Sequence, residues 1–208
     1  MTELSDSDLM VRFQKGDPHA FSLLFEMYRG PVFNFIYRML NSQQDAADDL
    51  LQEIFMKVVK AKDFYEPRAK FSTWLFAIAR NHCLNYIKSR RYNQGLNTVS
   101  LDAEGSDGAS LMDVLRDERP VTGDVERQET QAMLERCIAA LPDELKEVFL
   151  LRAVECLSHD DVARILRSNP ATVRTHYRRA RLILQKKVGI LLTSDSTRAE
   201  KENDHEMR

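Results

Sequence analysis

From Phe71 to Arg91 the chain reads FSTWLFAIARNHCLNYIKSRR. At helical spacing Phe76, Ala79, Cys83 and Ile87 share one side, and Trp74, Ile78, Asn81, Asn85 and Lys88 the other. A large ring beside two amides and a basic end suits single-stranded nucleic acid, because bases stack on aromatic faces, amides read base edges and cations follow the backbone. A competing reading packs Trp74 beneath the neighbouring segment DFYEPRAKF. The spacing alone leaves both open.

Two further stretches carry chemistry. In QDAADDLLQEIFMKVV, helical geometry puts Ala47, Leu50, Leu51, Ile54 and Val58 on a buried stripe. Asp45, Asp48, Asp49 and Gln52 fall opposite, with Glu53 at their flank. The early acids suit the positive end of a helix dipole, and the same face would serve as a docking surface for a basic partner. In LSHDDVARILRSNPATVRTHYRRARLILQKK, Ser158 caps one helix, and Asn169 with Pro170 opens a second after a short turn. The second helix turns Val173, Tyr177, Ala180 and Leu184 inward, and Ala171, Thr175, Arg178 and Arg179 outward, flanked by Arg174 and Arg181. Small and basic residues at the start of such a helix suit a DNA major groove.

The chain has 208 residues, 43% hydrophobic and 30% charged, with a net charge of −2. That charge conceals segregation. Glu66 is the only acid from 66 to 91, against Arg68, Lys70, Arg80, Lys88, Arg90 and Arg91, and 162 to 192 contains no acid at all. Two separated basic blocks point to nucleic acid. Between them, SLDAEGSDGASLMDVLRDERPVTGDVERQE is acidic and rich in breakers, which predicts a linker.

No run of 18 apolar residues occurs, and MTELSDSDLMVRF lacks the basic-then-apolar pattern of a signal peptide. A cytoplasmic protein with no membrane insertion is expected. Cys83, Cys137 and Cys156 are expected to be reduced core residues. Cys156 and His159 have no second pair at ligand spacing, so neither metal nor cofactor is expected. Scattered Ser, Cys, His and acidic residues, without a phosphate loop, argue against an enzyme.

The supporting elements read as helices throughout. Phe21, Leu24, Phe25 and Tyr28, then Val32, Phe35, Ile36 and Met39, recur three and four apart after a helix start at Gly16-Asp17-Pro18. No useful strand alternation appears. The expected fold is all-α: a helical domain at 1–92, an acidic flexible linker at 93–127, a helix-turn-helix domain at 128–192 and a disordered polar tail at 193–208.

In order, LMVRFQKGDPHAFSLLFEMY, DAADDLLQEIFMKV, KFSTWLFAIARN and LPDELKEVFLLRAVECLSHDDVARIL with ATVRTHYRRAR resemble the extracytoplasmic-function (ECF) group of bacterial sigma factors in the sigma-70 family. The resemblance runs from Ser7 to Lys187. It implies a sigma-2 helical bundle and a sigma-4 helix-turn-helix domain that bind core RNA polymerase and read the minus-ten and minus-thirty-five elements of promoter DNA. It also implies control by an anti-sigma factor. Asp45, Asp48, Asp49, Leu50, Gln52, Glu53 and Phe55 match the polymerase-docking segment. Phe64, Arg68, Lys70, Phe71, Ser72, Thr73, Trp74 and Asn81 match the minus-ten segment, with Lys88, Arg90 and Arg91 following the backbone. Thr172, Arg174, Thr175, His176, Arg178 and Arg179 match the minus-thirty-five positions. A helix-turn-helix regulator that does not bind polymerase is the rival, but residues 1–92 show no receiver-like strand and helix alternation.

Two departures from the family pattern carry expectations. Leu75 stands where housekeeping sigma factors have a second tryptophan, which predicts weak melting of poorly matched promoters. Arg167 and Ser168 stand where the turn usually holds a glycine and an aliphatic residue, which predicts backbone strain at Arg167 and lost apolar burial at Ser168.

Overall fold

The structure, a computed structural model, describes residues 4–93 and 124–206. Its helices are α1 (Asp6–Gln14), α2 (Pro18–Met39), α3 (Gln44–Lys60), α4 (Phe71–Asn93), α5 (Asp124–Ala139), α6 (Asp143–Phe149), α7 (His159–Leu166) and α8 (Pro170–Glu206). Lys62–Phe64 forms a 3-10 turn and Leu150–Val154 a π-helical turn. No strand occurs among the described residues. The expected linker lies, from 94 to 123, outside them.

Local chemistry sets the helix starts. Ser5 and Asp8 cap α1 reciprocally, side chain to backbone in both directions. Asp17 accepts from the N–H groups of His19 and Ala20 at 3.0 and 3.3 Å, and Pro18 follows at the first helical position. Pro31 does not end α2, because it sits on the exposed side while Val32, Phe35, Ile36 and Met39 beyond it are buried.

Two compact units result: Met1–Asp102 with Leu150–Arg174, and Ala103–Phe149 with Thr175–Arg208. The segment containing α7 thus groups with α1 to α4, a division different from the one expected at 92 and 128. In the first unit Leu9, Met10 and Phe13 of α1, Leu24, Phe35 and Ile36 of α2 and Leu50, Ile54 and Val58 of α3 are all buried in the core. Aromatic contacts tie it together. Phe35 and Phe76 meet edge to face at 5.6 Å, and Phe25 and Phe55 at 4.8 Å. In the second unit Cys137, Ile138, Leu141, Phe149, Ala180 and Leu184 are buried, and the rings of Phe149 and Tyr177 stack at 6.3 Å.

Several expectations change. Cys83 and Cys137 are buried, but Cys156 is exposed with φ +54°, reversing the chain after the π-helical turn. Helix α8 continues through Glu206 where a disordered tail was expected, since no proline follows Pro170 and Ala199, Glu200, Lys201 and Glu202 are strong helix formers. Leu75, where housekeeping sigma factors have a second tryptophan, is fully buried in the core. Ser168 is exposed, so no apolar burial is lost there.

Candidate nucleic-acid interface

Helix α3 separates its residues as its periodicity requires. Ala47, Leu50, Ile54, Phe55 and Val58 are buried, while Asp45, Asp48, Asp49, Gln52 and Glu53 are exposed. Leu50 and Phe55 therefore do not reach a partner surface. They pack beneath it, Phe55 also against Phe21 and Phe25. Exposed Met56 and Val59 continue the acidic stripe by one turn, at i+4 and i+7 from Gln52. Glu53 also pairs with His82 of α4.

The loop before α4 is held by side chains from other elements. The Gln14 amide donates to the carbonyls of Lys62 and Tyr65 at 2.7 and 2.9 Å. The Tyr65 hydroxyl donates to the Ala69 carbonyl at 2.9 Å and meets the Ser7 hydroxyl at 3.0 Å. This buries Tyr65 and leaves Phe64, its neighbour, 80% exposed. Arg68 and Lys70 are exposed as well.

On α4, Trp74 is half-buried, with its ring 5.4 Å from Tyr65 and 6.1 Å from Phe71. The packed reading of Trp74 is therefore the structural one, and Phe64 is the loop's open ring. Phe71 and Thr73 are buried and position the helix instead of facing solvent. The start of a helix covered on more than one side has no clean stripe to reveal this. Ser72 is half-buried. Asn81, Lys88, Arg90 and Arg91 are exposed, and Arg90 donates to the Gln43 amide of the loop before α3. Tyr92, which helical spacing did not single out, is 81% exposed beside Arg90 and Arg91. Its signal was the terminal Arg-Arg-Tyr run.

The helix-turn-helix follows its sequence grammar. Ser158 accepts from the Asp161 N–H at 3.1 Å, and Asn169 from the Ala171 N–H at 2.8 Å. Arg167 takes the left-handed conformation, φ +52°, and the turn closes with Ser168 N–H on the Ala163 carbonyl at 2.9 Å and Arg167 N–H on Arg164 at 3.3 Å. These two bonds complete a Schellman motif, which offsets the strain of a non-glycine there. Along α8, Thr172, Arg174, Thr175, Arg178 and Arg179 are exposed and His176 is half-buried. Val173, Ala180 and Leu184 are buried opposite them.

Residues 24–92 match Sigma-70 region 2, and residues 131–184 match Sigma-70, region 4. The RNA polymerase sigma-H factor of Pseudomonas aeruginosa is 32% identical over 194 residues, covering 92% of this chain and 98% of its own. The chain belongs to the ECF group of the sigma-70 family.

The ECF RNA polymerase sigma-E factor of Escherichia coli is 31% identical over 192 residues, 91% of this chain and 97% of its own. Two solved structures share the fold. CnrH with the cytosolic domain of CnrY has a TM-score of 0.62 at 22% identity and covers 91% of this chain and 98% of CnrH. RpoE with the anti-sigma factor NepR, from Bartonella quintana, has 0.61 at 21%, covering 82% and 97%. As an ECF sigma factor this chain is a non-enzymatic subunit that associates with RNA polymerase and directs transcription initiation at promoters. No described helix is long and apolar enough to cross a membrane.

Proposed function

We propose that the faces divide the sigma factor's work among the elements just described. The α3 stripe of Asp45, Asp48, Asp49, Gln52 and Glu53, extended by Met56 and Val59, docks on core polymerase, with Leu50 and Phe55 setting its angle. Phe64, Arg68, Lys70, Ser72, Asn81, Lys88, Arg90, Arg91 and Tyr92 engage the minus-ten element, with Trp74 supporting the loop. Thr172, Arg174, Thr175, His176, Arg178 and Arg179 engage the minus-thirty-five element. On this reading 1–92 and 128–192 are the working regions, and the chain acts in the cytoplasm, where polymerase and promoter DNA are.

The observation that carries the docking assignment is that one helix turns five polar or acidic side chains and two large apolar ones outward along a single line. Apolar side chains exposed beside a charged row are the composition of an interface, not of a solvated face. The same line, with exposed Leu23 and Met27 of α2, offers anchors to an anti-sigma factor, the class of protein with which RpoE was solved.

The test is Asp49→Lys with Glu53→Lys. Competition against the unmodified chain for core polymerase should show a loss of at least about tenfold, since reversed charges oppose a basic partner. Thermal melting of the Asp49→Lys single variant should stay nearly unchanged because that site is exposed, whereas Glu53→Lys also breaks the pair with His82, so the single variant controls for folding. Unimpaired competition would remove α3 from the docking role.

A further inference from the structure

Four basic side chains of the first unit share one cleft. Lys70 from the loop before α4, Arg152 from the π-helical turn, His159 from the start of α7 and Arg174 from α8 line a space of about 550 Å³. Each comes from a different element. No single helical period gathers them, so no sequence pattern marks the group.

Positive charge dominates the lining. Among the described residues that line it, Asp160 is the only carboxylate, against Lys70, Arg152 and Arg174. Asp161 lies 3.1 Å from Lys70 Nζ, but an ammonium has three N–H donors and this contact uses one. Arg152 donates to the Leu157 carbonyl and Arg174 to the Pro170 carbonyl at 3.4 Å. A carbonyl holds a guanidinium in place without neutralising it. His159 registers the crowding: burial first, then the Arg152 and Arg174 charges, hold its imidazole below the ordinary value of 6.5, with Asp160 opposing. Like charges gathered in one cleft repel, and a multivalent anion between them converts that repulsion into attraction.

The lining also restricts what the anion can be. No aromatic ring lines the cleft among the described residues, so it offers no stacking surface for a base. Arginine forks and a lysine point charge suit phosphate oxygens, and a cleft of this size has room for two joined phosphoryl groups. Ser158 is already engaged in capping α7 through Asp161, which leaves recognition to the basic side chains. The chain as a whole carries a net charge of −2, so general attraction would not draw an anion to it.

We propose that this cleft binds a diphosphate group, free or at the end of a nucleotide, through Lys70, Arg152 and Arg174, with the His159 imidazole as a fourth donor. The inference does not rest on the promoter assignments above. If those hold, a bound diphosphate occupies Lys70 and Arg174 in competition with promoter phosphates.

Calorimetric titration of the full chain with inorganic pyrophosphate, in physiological salt without divalent cations, tests it. Binding should saturate at one site per chain, Arg152→Gln should weaken it about tenfold or more, and Arg152→Lys should restore part of the loss. Lys15→Gln, which removes an exposed cation elsewhere, should leave it unchanged. Absence of saturable binding would overturn the proposal, as would equal losses in Arg152→Gln and Lys15→Gln. Because Arg152 also supports the Leu157 carbonyl, the native chain supplies a second measurement. Pyrophosphate should raise the titration midpoint of the His159 ring in proton NMR, since a nearby anion favours the charged imidazole, with His159→Asn identifying the signal. An unmoved midpoint would also overturn the proposal. Titration with ADP separates the two sources: tighter binding than pyrophosphate assigns the nucleotide, and equal or weaker binding assigns the free anion.

Discussion

The side-chain amide of Gln14, at the end of α1, donates to the backbone carbonyl of Tyr65 at 2.9 Å and to that of Lys62 at 2.7 Å. One side chain therefore fixes both ends of the turn that displays Phe64. Gln14→Ala leaves two part-buried carbonyls without this donor and should cost about 1–3 kcal/mol of unfolding free energy in urea. It should also slow promoter opening more than it weakens polymerase binding, since the α3 stripe lies elsewhere. Equal losses in both assays would count against the loop's separate role.

Glu155 gives a pH dependence with a definite sign. Burial raises its carboxyl from the ordinary value of 4.5 to about 7, and the Arg38 charge opposes this only in part. The folded chain then holds a proton that the unfolded chain releases. The contribution to stability is complete below about pH 4.5 and is lost as pH rises through about 7. His159 works the other way. Its burial, then Arg152 and Arg174, lower its value, so its contribution falls as pH drops through 6.5. The melting curve of the native chain sums the two, and Glu155→Gln isolates the first. The melting temperature of that variant relative to the native chain should rise from pH 5 to pH 8, and parallel curves would exclude this account.

What the sequence disclosed depended on whether one element or several determined a residue's surroundings. The α3 stripe, the Asp17 cap and the Arg167 turn were legible because period, cap chemistry and backbone conformation are local. Trp74 was not, because its partner Tyr65 reaches it from a loop fixed by Gln14 and Ser7, 51 and 58 positions upstream of Tyr65. The burial of Thr73 was illegible for a similar reason: nothing near position 73 announces a neighbour from position 161. Leu50 and Phe55 were read as contact residues but are buried, since a matched motif does not separate side chains that touch from those that support.

Phe64 and Tyr92 are the open rings of the minus-ten reading, and their exposure makes the test clean. Phe64→Ala should leave thermal stability within about 0.5 kcal/mol, as for other surface substitutions. If the ring stacks on an unpaired base, affinity of the polymerase complex for a melted promoter strand should fall by about 1–3 kcal/mol. Tyr92→Ala should act more weakly on duplex opening, because it lies at the far end of α4 beside Arg90 and Arg91. A Phe64→Ala complex that binds melted and duplex promoters as the native one does would remove the ring from base contact.

Arg178 separates base reading from phosphate contact in α8. It is exposed on the outward side of the helix, opposite buried Val173, Ala180 and Leu184, on the face a major-groove helix presents. An arginine bidentate to a guanine edge contributes to one base position, whereas a phosphate contact contributes to every sequence alike. Arg178→Ala should therefore cost about 1–3 kcal/mol on the preferred promoter and relax preference at a single minus-thirty-five position, measured by selection from a randomised element with reconstituted holoenzyme. A uniform loss across all selected sequences, with a salt dependence shallower by about one ion, would instead assign Arg178 to the backbone and leave base reading to Arg174 and Arg179.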